Sequence, residues 1–240
     1  MAFLPNIIFA IILFTAIYLF RRNILYVKRN IQLGKNIDRS DQSAERWTNM
    51  FRIALGQSKM FNRPIAGILH IVVYVGFIVI NIELIEIVLD GLLGTHRILA
   101  PFMGKAYNVL IASFEILAAM VLVSVILFWL RRNALKIKRF WNAEMNGWSK
   151  NDADYILYFE IVLMTLFLCM NTTDLLLQEI GEPHYTQAGM FPVSQFMGPL
   201  FSSFSTTTLV FLERSFWWLH ISGILIFSFT IGIKVSVVVS

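Results

Sequence analysis

Pro64–Leu89 reads PIAGILHIVVYVGFIVINIELIEIVL, a stretch with no Lys or Arg and with its two carboxylates, Glu83 and Glu86, near the far end. It exceeds the roughly 20 helical residues needed to cross a hydrocarbon core about 30 Å thick. Backbone groups in that core find no water, so a spanning segment is either a helix or a strand of a closed barrel. The apolar residues here are continuous rather than alternating, which selects the helix.

Four further runs repeat the pattern, at 3–20, 106–130, 155–178 and 216–238. Over the 240 residues, 57% are hydrophobic and only 15% charged, whereas a soluble domain carries about a quarter charged residues. The expected fold class is an all-α membrane protein, one membrane domain over 1–240 built as a bundle of about five transmembrane helices. The first run has no basic stretch before it and is followed by Arg21 and Arg22, so it reads as a retained helix rather than a cleaved signal. Cys169 is the only cysteine, too few for an intrachain disulfide or a four-thiolate cluster.

Loop charge sets the orientation. The stretch 21–63 holds ten Lys or Arg and 131–154 holds six, against two in 90–105 and one in 179–215. Basic loops stay cytoplasmic, which predicts an outer N-terminus and a cytoplasmic C-terminus. The net charge of +5 is thereby explained by topology, with no nucleic-acid partner. Trp129, Trp141 and Trp148 gather at the inner end of the third span, and Trp217 and Trp218 open the fifth at the outer surface, as interfacial rings do. Within the first basic loop, Trp47–Lys59 places Trp47, Met50, Phe51, Ala54 and Leu55 on one side of a helix, an interfacial pattern. The loop 179–215, with Pro183, Pro192, Gly198 and Pro199, is expected to fold back onto the membrane surface.

Two of the four histidines, His70 and His220, fall inside spans, where ionisable groups are costly and tend to be functional. Binding a haem iron satisfies one ring nitrogen, while the other donates to a carbonyl. Each has a glycine one turn away, Gly67 or Gly223, which gives clearance for a flat macrocycle. The structural alternative is a histidine bonded to a neighbouring helix, with small residues serving close packing. Depth separates the two. His70 lies six residues into its span, about 9 Å from the inner edge, and His220 four residues into its own, about 6 Å from the outer edge. They stand roughly 15 Å apart along the normal, whereas two imidazoles on one iron need nitrogens about 4 Å apart. Each therefore requires another partner, and His96, just beyond the second span, is the nearest for His220.

The carboxylates Glu83, Glu86, Glu115, Glu160 and Asp174 also fall in spans. They read either as a proton path or quinone pocket, or as groups hydrated near the interface, with deep Glu115 paired to Asn81, Ser113 or another helix. His184 is expected in a solvated loop, and Cys169 in packing or facing lipid.

The segment Arg39–Arg97, RSDQSAERWTNMFRIALGQSKMFNRPIAGILHIVVYVGFIVINIELIEIVLDGLLGTHR, resembles the membrane half of bacterial (Fe-S)-binding oxidoreductases related to heterodisulfide reductase. That half is itself similar to the gamma subunit of respiratory nitrate reductase. The resemblance extends through FWWLHISGILIF in the fifth span and covers roughly residues 1–227. It implies b-type haem held by histidines of the second and fifth spans, here His70 and His220, and electron exchange with a quinone pool. It also implies a cytoplasmic iron–sulfur domain after the fifth span. This chain instead reads SFTIGIKVSVVVS, without the family's further histidines and cysteines, so we expect a chain truncated or out of frame after about Phe227.

The function expected from the resemblance is thus the membrane part of an iron–sulfur oxidoreductase in the bacterial cytoplasmic (inner) membrane. It passes electrons between quinone and a cytoplasmic iron–sulfur protein or domain through haem b, and it has no catalytic residue of its own. A haem-free membrane anchor for a partner protein is the alternative. A small transporter is disfavoured because no inverted repeats or paired Gly/Pro-interrupted spans occur.

Overall fold

The computed structural model describes residues 3–35, 41–58, 64–141 and 148–239, with backbone alone for 138–139, 148–149 and 228–239. The basic residues Arg39, Lys59 and Arg63 lie outside the described residues, and Trp148 and Lys234 are described by backbone only. Among the described residues every regular element is helical. Five helices are long and apolar enough to cross a membrane: Leu4–Gln32, Pro64–Leu93, Lys105–Ala134, Lys150–Ile180 and Thr206–Phe227. The chain is an all-α, multi-pass membrane protein.

Its helices in chain order are α1 (Leu4–Gln32), α2 (Ser43–Asn49), α3 (Pro64–Leu93), α4 (Ala100–Met103), α5 (Lys105–Trp129), α6 (Trp148–Ile180), α7 (Ser194–Met197) and α8 (Thr206–Val239). They group into two compact units, Met1–Ile71 with Ser222–Ser240, and Val72–Ile221.

In the first unit, α1 starts with a proline in its first turn, where the missing N–H costs nothing. It buries only Phe9, Leu13 and Asn23 and exposes Ile7, Ile11, Phe14, Ile17 and Tyr18. Such a surface is at home only in hydrocarbon. The segment expected to be interfacial is helical from Ser43 through a π-helical turn at Met50–Leu55. Trp47, Met50, Phe51 and Leu55 are all exposed, as an interfacial face requires.

The second unit holds the packed interior. α5 contributes Ile111, Phe114, Ala118, Val121 and Val125, and α6 contributes Leu163, Met164, Phe167 and Leu168; these two helices make the most extensive contact. α3 approaches α5 closely at Gly76, where a Cβ would lie 2.5 Å from Val121 Cγ2. Glycine is what permits that approach. Hydroxyls within the spans bond back to their own helix, Thr165 to the Ile161 carbonyl at 2.7 Å and Thr172 to that of Leu168 at 2.7 Å, so they reach no lipid unsatisfied.

α6 ends in a Schellman turn: Gly181 has φ +79°, with its N–H on the Gln178 carbonyl (3.2 Å) and the Glu182 N–H on that of Leu177 (3.1 Å). α8 begins at Thr206 rather than at the expected Phe216. Ser205 explains the early start, since its Oγ accepts from the Thr208 N–H at 3.3 Å, capping the helix. Glu213 and Arg214 therefore lie within a helical span instead of in a loop.

Candidate functional site

The site is built in the second unit around Arg97, in the turn after α3. Asp90, in the last turn of α3, accepts from Thr95 Oγ1 (2.5 Å), the Arg97 N–H (2.8 Å) and the Ile98 N–H (3.2 Å). Glu86, one turn earlier, accepts from the Leu99 N–H at 3.0 Å. These acids fold the turn back onto the helix and hold Arg97 at φ 53°. Its guanidinium is directed inward. It donates to Asp174 Oδ2 from Nε (2.9 Å) and Nη2 (2.6 Å), to Tyr107 Oη (3.2 Å) and to Asn171 Oδ1 (3.3 Å). Its flat face lies 5.0 Å from the Phe191 ring centre. Tyr107 in turn donates to Glu86 at 2.8 Å.

Burial alone would lower the Arg97 guanidinium, but Asp174, then Tyr107 and Glu83, hold it well above its ordinary value. It is a permanent cation. Removing one member of such a buried, hydrogen-bonded pair costs about 3–5 kcal/mol.

Asn171 extends the network by donating to Glu115 Oε1 at 3.2 Å. Glu115 is 0% exposed and accepts from the backbone N–H groups of Val193 (2.9 Å) and Ser194 (3.1 Å) and from the Ser194 hydroxyl. Of the partners expected for it, the neighbouring-helix choice holds, through Asn171. Asn81 and Ser113 instead bond to carbonyls of their own helices.

The 179–215 stretch folds back and packs on the helices of the second unit. Tyr185, Phe191 and Ser194 are buried, and the Gly189 N–H donates to Asn108 Oδ1 at 3.0 Å. The physical reason is Glu115, whose buried oxygens need donors that the loop backbone supplies. A second acid, Glu213, accepts from Tyr185 Oη at 2.7 Å and pairs with Arg214. Burial, with Glu213 adding to it, pushes the Tyr185 phenol up.

These groups border a cavity of about 50 Å³ lined among others by Glu83, Glu86, Asp90, Asp174 and Glu213, together with His96, Arg97 and Arg214. Glu83 is 3% exposed, and its Oε2 has no hydrogen-bond partner. Glu83, Glu86 and Asp174, expected to be hydrated, are all buried by protein and meet space for water in this cavity.

Each expected site residue can now be placed. His96 lines the cavity. Its Nδ1 accepts from the Thr186 N–H at 2.9 Å, so Nε2 carries the proton and donates to Asp174 Oδ1 at 3.0 Å. Both ring nitrogens are thus committed, and His96 offers no lone pair to a metal in this arrangement. His220 is on α8, 2% exposed, with its ring 5.7 Å from that of Phe167. Its Nδ1 lies 3.1 Å from the Leu163 carbonyl oxygen, which only accepts, so Nδ1 bears the hydrogen. In the neutral ring Nε2 then keeps its lone pair. His70 is on α3, in the first unit, half-buried. His184 is exposed as expected, its ring 5.4 Å from Tyr185 and 5.9 Å from His96. Among the described residues no cluster of three or more His, Cys, Asp or Glu side chains is arranged to hold a metal ion directly.

Sequence reasoning passed over Arg97, Tyr107, Asn171, Glu213 and Arg214. Arg97 counts as loop charge in the sequence, although three acids spaced over about two turns near the end of α3 call for a nearby cation. Glu213 and Arg214 were missed because the Ser205 cap was not read as a helix start.

Fold and site together define a multi-pass helical membrane protein with a buried polar network around Arg97. Across 94% of its length the chain is 25% identical, over 230 residues, to the "Probable iron-sulfur-binding oxidoreductase FadF" of Bacillus subtilis (strain 168). It spans only 29% of the length of that relative. The similarity is a distant relationship to an iron–sulfur oxidoreductase. No family model matches the chain, and no solved structure matches it.

Proposed function

We propose that the chain is the membrane subunit of a respiratory-type oxidoreductase, of the nitrate reductase gamma-like kind. It relays electrons between the quinone pool and a cytoplasmic iron–sulfur domain or protein through b-type haem. The observation that carries this reading is His220, an imidazole sealed in the bundle with Nδ1–H donated to the Leu163 carbonyl. That bond fixes the tautomer and ring orientation in the way supporting carbonyls orient iron-ligating histidines. The donor chemistry fits a haem iron at Nε2. His70 is the inner candidate. His96 would first have to release Thr186, so His220 and His70 are preferred over it.

The distant likeness to an iron–sulfur-binding oxidoreductase supports the redox assignment, and with one cysteine in these 240 residues any four-thiolate cluster would be held outside them. A bound b-type haem would supply one-electron redox chemistry. This chain's own residues would orient the ligands, exclude water and set a low-dielectric surround. The concentration of basic residues in 21–63 and 131–154 supports an outer N-terminus in the bacterial inner membrane.

The test is a reduced-minus-oxidised absorption spectrum of the chain purified from cells with ample haem supply. A b-type alpha band that disappears in His220→Ala, in protein that still elutes as a monodisperse peak, is the expected result. Well-folded colourless wild-type protein would overturn the haem assignment and favour the haem-free anchor. An unchanged spectrum in His220→Ala or His70→Ala removes that residue as a ligand.

A further inference from the structure

The acids around the cavity are not alike. Asp174 has both oxygens bonded, to Arg97, His96 and Gln178. Glu86 is bonded to Tyr107 and the Leu99 N–H, and Asp90 to Thr95 and two backbone N–H groups. Glu213 is held by Tyr185 and Arg214. Four carboxylates thus meet donors that suit their charged form. Glu83 differs, since its Oε2 is buried and meets no donor. A charged carboxylate oxygen buried without a donor and beside four other acids is a costly state, which a proton on that oxygen relieves. The charge count agrees. Five acids face Arg97, Arg214 and His96, and His96 is held as the neutral tautomer by Thr186, so two cations oppose five potential anions. Space is available too. The cavity of about 50 Å³ has room for about three waters or a small oxygen-bearing group, at ~15 Å³ each.

We propose that Glu83 is a proton-exchange site: its carboxyl holds a proton, delivers it to an acceptor oxygen in the adjoining cavity, and is reprotonated from water there. The step is balanced as written. The carboxyl O–H breaks, the acceptor gains the proton, and the carboxylate left behind recovers one from hydronium relayed through water at the cavity mouth, so the net change is one solvent proton moved to the acceptor. No electron moves on Glu83. In naming what the proton serves, the inference rests on the redox reading above, because reducing a quinone consumes protons. The proton occupancy itself stands on the geometry alone.

Two measurements on the whole chain in lipid nanodiscs at neutral pH test it. A hydrophobic carbodiimide reacts with protonated buried carboxyls. Peptide mapping by mass spectrometry is expected to find the adduct on Glu83, with the adduct lost in Glu83→Gln. Infrared spectra are expected to show a protonated-carboxyl stretch that shifts in D₂O and is missing from Glu83→Gln. A wild-type spectrum with no such stretch, or one that persists unchanged in Glu83→Gln, overturns the proposal whatever the carbodiimide does. Neither readout requires pigment. A colourless protein that shows the Glu83 stretch therefore sinks the haem reading and spares this one.

Discussion

The second unit has two polar ends, and they use charge differently. At the basic end, where α5 meets the start of α6, Arg132 Nε lies 2.7 Å from Asp154 Oδ1, and Asn133 donates to the same carboxylate at 3.1 Å. Trp141 donates to the Arg132 carbonyl at 3.2 Å, and Lys150 Nζ sits 3.8 Å over its ring. The partners are near in sequence, and Trp141 is exposed. At the acidic end, Arg97 alone reaches Asp174, Tyr107 and Asn171 on two separate helices. Arg97, Asp174 and Glu86 there are buried, each held by more than one group. The first end ties α5 to the start of α6; the second fixes how the helices and the 179–205 loop fit together.

The sharpest way to break that contrast is Arg97→Met. It leaves Asp174 buried without its cation, and we expect a loss of about 3–5 kcal/mol, read as a collapse of the thermal unfolding midpoint in detergent. Arg97→Met combined with Asp174→Leu is expected to recover more than half of the loss, since replacing both members of a buried pair by apolar groups is often close to neutral. A double variant as unstable as the single one would show that Tyr107 and Asn171, not Asp174, need the guanidinium.

Glu115→Gln comes next. The amide cannot accept from the Val193 and Ser194 N–H groups and from Asn171 all at once, so one buried donor is stranded at about 1–3 kcal/mol. Limited proteolysis is expected to cut within 186–205 faster than in wild type. Unchanged cleavage there would mean that Phe191 and Tyr185, rather than Glu115, hold the loop.

The unequal legibility of the two ends has a physical origin. Composition and uninterrupted apolar runs made the helical membrane class readable, because the bilayer constrains every residue of a span in the same direction. Pro64–Leu89 alone carried most of that decision. The partner of Glu115 was not readable, because Ser194 lies 79 positions away and no local rule joins them. Arg97 stood in plain view in the GTHR turn, but a loop-charge count treats every arginine alike. His220 was picked out by its depth, while the Leu163 carbonyl that orients it, 57 positions earlier, required the fold.

At the basic end the expected effect is small. Lys150→Met removes a cation from the face of a part-exposed Trp141, worth about 0.5–1 kcal/mol. A shift as large as that of Arg97→Met would erase the distinction between the ends.

The smallest effect sits at the rim of the acidic end. Burial, then the Arg214 guanidinium, lowers the His184 imidazole below its ordinary value of about 6.5. In the unfolded chain His184 regains that ordinary value, so between the two values the unfolded state binds more protons than the folded one. Stability therefore rises with pH through this window, is flat above it, and declines as acid charges a ring already facing Arg214. We expect His184→Gln to shallow the acid-side slope of unfolding midpoint against pH at fixed ionic strength, with no change at neutral pH. A slope that survives the substitution intact would assign the acid sensitivity to the buried carboxylates instead.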